Sequence, residues 1–106
     1  KCMILGPSGQ NIYPEEVETV VNSQPYVVDS LVIEDDGGLT ALIYPDFQQG
    51  EKEGMSQEAM VKYMEGTLAE LNTILPNYAR LKKIEVMSED FERTPKKSIK
   101  RYLYQR

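Results

Sequence analysis

The spacing of apolar positions changes several times along the chain, and each change marks an element. Residues 1–5 form a brief apolar run, closed by Gly6-Pro7-Ser8-Gly9 and answered by Gln10-Asn11-Ile12-Tyr13. Two short stretches around such a turn predict a hairpin-like element. Pro14 then opens a helix at the position where its missing N–H costs nothing. Glu15, Glu16 and Glu18 suit the positive end of that helix's dipole and read as helix-start residues rather than an acid/base pair. Val17, Val20 and Val21 recur at i, i+3 and i+4, which gives the helix one buried face, and residues 22–25 end it.

Residues 26–34 are rich in Val, Ile and Leu and read as a strand. Asp35-Asp36-Gly37-Gly38 is a strong hairpin turn, because Asp and Gly tolerate positive φ, and residues 39–44 supply the returning strand up to Pro45. Both strands are apolar on two faces, which predicts helices on both sides of the sheet. Residues 48–54 are polar and read as a mobile surface loop. Ser56 is a candidate N-cap for a helix running towards Leu75, striped by Met60, Met64, Leu68, Leu71 and Leu75 and stopped by Pro76. Residues 83–87 alternate, with Ile84 and Val86 inward, as a third strand. Residues 91–97 read as a loop and 99–105 as a short final helix. The expected fold is α+β: a small three-stranded sheet covered by helices, with an N-terminal hairpin-like element.

Composition narrows the chemistry. The chain of 106 residues has no His and one Cys, which excludes a Ser-His-Asp triad, a Cys-His pair, an intrachain disulfide and a zinc cluster. No apolar run is long enough to span a membrane, and no basic-then-apolar leader opens the chain. A cytoplasmic setting is expected. Cys2 lies in an apolar run and reads as a small buried hydrophobe. Asp35 and Asp36 are turn residues without the rest of a calcium loop.

Charge is divided unequally along the chain. Residues 1–78 carry three Lys and thirteen Asp or Glu, a charge of −10, whereas residues 79–106 carry nine Lys or Arg and four Asp or Glu, a charge of +5. A basic end can meet an anion or simply be a solvated face. Within it, Arg93, Lys96, Lys97, Lys100 and Arg101 crowd around Thr94, Pro95 and Ser98, a set that could cradle a phosphate. Tyr102 and Tyr104 add aromatic faces, but the acidic body argues against nucleic acid. The chain begins at Lys1, without Met and directly in an apolar run, as a piece of something longer would.

Three segments together carry a family resemblance. Gly9-Gln10-Asn11-Ile12-Tyr13-Pro14-Glu15-Glu16-Val17-Glu18 resembles the G-x-N-I-x-P-x-E-[IV]-E core that opens the C-terminal domain of adenylate-forming, AMP-binding enzymes. Leu75-Pro76-Asn77-Tyr78 resembles that family's L-P-x-Y, and Thr94-Pro95 through Lys100-Arg101 resembles its closing T-P-x-x-K-[IV]-x-R. The wording is most like that of bacterial long-chain fatty acid–CoA ligases.

This resemblance implies a lid domain, residues 1–106, of a larger enzyme whose N-terminal domain is the lid's partner and holds most of the nucleotide site and the acyl pocket. The implied reaction joins a fatty acid to ATP as acyl-AMP, with Mg2+, and passes the acyl group to coenzyme A. No nucleic acid takes part, and any peripheral membrane contact would come through the other domain. The fragment alone is expected to be inactive and to bind none of these molecules tightly. Lys1 falls at the hinge position, and the loop around Ser8 and Gly9 would line the path of the CoA thiol arm. The family's catalytic lysine aligns without gaps to Ser98, whose hydroxyl cannot supply the charge. Lys97 is the candidate substitute; Lys96, Lys100 or no lysine of this loop are the alternatives, and Ser98 could instead cap the last helix. Two other readings are a lid that serves a carrier-protein-loading enzyme and a stand-alone module binding an anion or nucleic acid.

Overall fold

In the computed structural model, which describes residues 2–106, Ile4–Leu5 (β1) and Asn11–Ile12 (β2) pair antiparallel, Ile4 opposite Ile12 and Leu5 opposite Asn11. Pro14–Val21 (α1) follows at once, with Pro at its first position and Glu15 and Glu16 in its first turn. Val17 and Val21 are buried, as their spacing predicts. Cys2 is exposed rather than buried: the strand begins only at Ile4, three residues later than expected.

Val27–Asp35 (β3) and Gly38–Pro45 (β4) form the long hairpin. Asp36 and Gly37 take φ of 51° and 78° at its tip, the pair of positive values that matches the twist of two antiparallel strands. Phe47–Lys52 (α2) replaces the expected mobile loop. Its cap is Asp46, whose carboxylate accepts from the Gln49 amide at 3.0 Å. Its one buried residue is Gly50, where an added Cβ would lie 2.5 Å from Met60 Cε. A helix that packs through a glycine has no apolar stripe to announce it.

The single long helix expected after Ser56 is two. Gln57–Gly66 (α3) is capped by the Ser56 hydroxyl, and Leu68–Ile74 (α4) follows the break at Thr67. Thr67 turns its hydroxyl back to the Met64 carbonyl at 2.7 Å, and Gly66 before it is a poor helix former. The stripe survives the break: Met60, Met64, Leu71 and Leu75 are buried. Leu81–Val86 (β5) runs parallel to β4, in the order β3-β4-β5. Its start is set by Asn72 of α4, whose amide exchanges two hydrogen bonds with the Leu81 backbone.

The sheet has two differently covered faces. Val32, Leu39, Ala41 and Ile43 lie in the larger core with Val17, Val21, Met60, Met64 and Leu71 from the helices. Leu31, Ile33 and Leu42 lie in a smaller one with Phe91, flanked by Ile99 and Tyr104. Helices therefore cover one face, while an irregular C-terminal tail covers the other. Instead of the expected final helix, Arg93 and Ile99 form a small antiparallel bridge and Arg101–Leu103 a single 3-10 turn. No helix among the described residues is long and apolar enough to cross a membrane.

Candidate functional site

The turn before α1 and the turn in the tail share one geometry. In the first, the Gly6 amide donates to the Gln10 carbonyl at 2.8 Å and the Gly9 amide to the Gly6 carbonyl at 3.0 Å. In the second, Thr94 donates to Ser98 at 2.8 Å and Lys97 to Thr94 at 2.7 Å. Pro7 and Pro95 take the position where their fixed φ is favoured, and the left-handed residue that closes such a three-residue turn is Gly9 (φ 84°) or Lys97 (φ 69°). Glycine is at ease there; lysine is not. The Lys97 carbonyl is also reached by Arg93 Nη1 at 3.3 Å. Ser98 is no helix cap: its amide donates to Thr94 Oγ1 at 3.2 Å, and the last turn starts at Lys100 without a side-chain cap.

Charge around the tail sorts arginine from lysine. Arg101 meets Glu18 with both terminal nitrogens, at 2.9 and 2.5 Å. Glu18 is thus a buried anchor rather than a helix-start residue, and it also accepts from the Val32 amide at 2.8 Å. Arg93 meets Asp29 at 2.9 Å and Asp90 at 3.0 Å, and Arg106 spans Asp35 and Glu85. These hydrogen bonds raise all three guanidinium pKa values. The five-cation cradle expected around Ser98 therefore loses Arg93 and Arg101 to the domain's own carboxylates. Lys96, Lys97 and Lys100 form no ion pair with another described residue.

An open cleft of about 510 Å³ lies on another part of the surface, walled by Leu5, Pro7 and Ser8 of the first turn, by Glu34 and Gly37 of the β3–β4 hairpin, and by Asn77, Tyr78 and Arg80. Gly6 at its floor has no room for a side chain without pressing on Ile12, whose Cδ1 would lie 3.2 Å from an added Cβ. The fold thus brings Ser8 together with the L-P-x-Y segment. It does not bring Lys96, Lys97, Ser98 or Lys100 to that cleft. Arg80 and Glu34 are cleft residues that sequence reasoning missed, and only Arg80, two residues past the L-P-x-Y tyrosine, carried a local signal. Lys1, the hinge candidate, lies outside the described residues. No group of three His, Cys, Asp or Glu that could hold a metal occurs among the described residues.

Residues 3–106, all three motif segments included, match the family model described as the AMP-binding enzyme C-terminal domain. The chain belongs to that family. As a member of this AMP-binding C-terminal family it is similar to a fatty acyl CoA synthetase of Mycobacterium tuberculosis, at 26% identity and a TM-score of 0.62 over 95% of this chain and 18% of that one. It is also similar to O-succinylbenzoate coenzyme A synthetase from Bacillus subtilis, at 25% identity and a TM-score of 0.63 over 96% and 18%. The adenylation domain of a carboxylate reductase from Mycobacterium chelonae shares the fold, with a TM-score of 0.74 at 15% identity over 95% and 17%. The chain thus spans under a fifth of each of these solved chains. No curated protein matches it.

Proposed function

We propose that the chain is the C-terminal lid of an acyl-CoA synthetase for a long-chain fatty acid. In this reading, a carboxylate oxygen attacks the α-phosphorus of ATP as pyrophosphate leaves, and the thiol of coenzyme A then attacks the acyl carbon as AMP leaves. One observation carries the proposal: two turns of the same geometry stand on one framework, joined through Glu18 and Arg101, and present different chemistry. The tail turn presents lysines without ion-pair partners among the described residues, suited to charge developing between carboxylate and α-phosphate. The other turn opens on a cleft with apolar walls and polar tips, suited to a thiol arm. A lid that turns one and then the other towards a partner domain would serve the two half-reactions in sequence, with Lys1 as the pivot.

Lys97 is the residue assigned to adenylation. Mg2+ enters with ATP, and no residue of this chain is assigned to it. The likeness to a fatty acyl CoA synthetase supports the fatty acid, whereas the equal likeness to an O-succinylbenzoate synthetase makes the acid the point to test. In the full-length protein carrying this chain, ATP–pyrophosphate exchange should be driven by palmitate more strongly than by acetate or O-succinylbenzoate. Lys97→Ala should slow that exchange by about 10²–10³ and leave attack of coenzyme A on presynthesised acyl-AMP nearly intact. Exchange driven best by a non-fatty acid removes the substrate assignment; transfer to a carrier-protein thiol but not to coenzyme A removes the ligase assignment. The chain alone should unfold cooperatively and turn over neither substrate.

A further inference from the structure

We propose that Arg93 is a positioning residue for Lys97, holding the tail turn so that the Lys97 ammonium is presented to the adenylation transition state; the proposal rests on the role assigned to Lys97 above. The two matching turns provide the comparison. At Gly9 the left-handed conformation is met by glycine, and among the described residues no side chain donates to the Gly9 carbonyl. At Lys97 the same conformation is imposed on a long side chain, and the carbonyl of that residue is held by Arg93 Nη1. A turn needed only to reverse the chain has no use for this arrangement. Backbone strain that the surroundings hold in place clusters at functional sites. Of the three described non-glycine residues with positive φ, Tyr26, Asp36 and Lys97, Lys97 is the one in the motif that carries the proposed function.

Arg93 is built for the task. Its Nη2 donates to Asp29 Oδ2 at 2.9 Å and to Asp90 Oδ1 at 3.0 Å, while Nη1 faces the turn. Asp29 belongs to β3, beside the irregularity between Val27 and Asp29. One planar group thus ties the turn to the central sheet. Both side chains are about three-quarters buried, at 27% and 26% exposure, so the tie is not a loose surface pair. A lysine at 93 has one ammonium on a flexible stem and cannot hold the carbonyl and the carboxylates together in that planar fork. Lys96 and Lys100 share the loop's charge, yet no side-chain donor reaches their carbonyls among the described residues, so only Lys97 receives this support. Holding a charged group in its productive geometry before reaction is the means by which it acts without reorganisation.

The test uses the full-length protein, with pyrophosphate exchange and coenzyme A attack on presynthesised acyl-AMP measured separately. Arg93→Lys and Arg93→Gln should lower kcat for exchange by about 10–10² with the KM for ATP little changed, and leave the thioester step within about twofold. Asp29→Asn should show the same split to a smaller degree. The double variant Arg93→Gln/Lys97→Ala should be no slower than Lys97→Ala alone, because a residue that acts through Lys97 has nothing left to position. If Lys97→Ala is slow but Arg93 variants are normal, or if the two effects multiply, the positioning role is overturned while the function stands. If Arg93 variants slow both half-reactions equally, the tie is only structural. If Lys97→Ala itself is normal, the lysine assignment fails and the positioning role goes with it. Should Arg93→Gln not fold, Arg93→Lys and Asp29→Asn, each combined with Lys97→Ala, decide between the same outcomes.

Discussion

Arg101 closes the domain on Glu18, 83 residues earlier in the chain, through two parallel hydrogen bonds of 2.9 and 2.5 Å. The Glu18 side chain keeps 9% of its exposure and that of Arg101 23%. The carboxylate is completed by the Val32 amide at 2.8 Å. Helix α1, strand β3 and the tail therefore meet at one ion pair.

Removing one partner leaves the other charge buried without compensation. Glu18→Gln or Arg101→Met should each destabilise the domain by about 2–3 kcal/mol, below the fully buried case because Arg101 remains partly wet. The double substitution should cost clearly less than the sum of the two. Urea unfolding of the three variants checks this; strictly additive losses would deny the coupling.

Thr40 is the counterexample on β4. It is fully buried, and its Oγ1 has no hydrogen-bond partner among the described residues. Thr40→Val replaces the orphaned hydroxyl by a methyl of similar shape and should stabilise by about 1 kcal/mol. A loss of stability would show that the hydroxyl is satisfied after all.

The two matching turns should respond in opposite directions. Lys97→Gly relieves a φ of 69° and should stabilise by about 1 kcal/mol, whereas Gly9→Ala imposes strain at 84° and should destabilise by a similar amount. Thermal unfolding of both single variants measures this directly. Equal and same-signed shifts would mean that the turns are not equivalent.

Arg106 hydrogen-bonds Glu85 and holds its carboxyl at about 2, against an ordinary value of 4.5; burial opposes the shift and Lys83 assists it. A carboxylate held low stabilises the folded state fully above its unfolded pKa and loses that stabilisation as pH falls towards the folded one. Part of the acid instability between 4.5 and about 2 should therefore vanish in Glu85→Gln. At neutral pH the same substitution should cost no more than about 1 kcal/mol, since the pair is at the surface. Unchanged acid unfolding in the variant would remove the ion pair from the account.

Local chemistry made much of the fold legible. The β3–β4 hairpin follows from Asp36-Gly37, the start of α1 from Pro14 and its following carboxylates, and the buried face of α3 and α4 from a 3.6-residue stripe that outlasted the break at Thr67. The three motifs placed the chain in its family because each is a contiguous string, readable without knowing what it touches. Charge division was legible too, as an acidic body and a basic end, but not its outcome.

What tertiary structure alone decided depends on partners far away in the chain. Gly50 makes α2 a packed helix only because Met60 lies against it. Glu18 resembles any acidic residue in a first turn until Arg101 reaches it from the other end, and Arg93 resembles a phosphate-binding cation until Asp29 claims it. Which cations of the tail remain for an anion is settled by these pairings: the rigid forks of Arg93 and Arg101 suit part-buried carboxylates, whereas Lys96, Lys97 and Lys100 make no ion pair with another described residue. A turn's backbone is set by local steric preference, whereas the partner of a charge is set by whatever the fold carries into its reach.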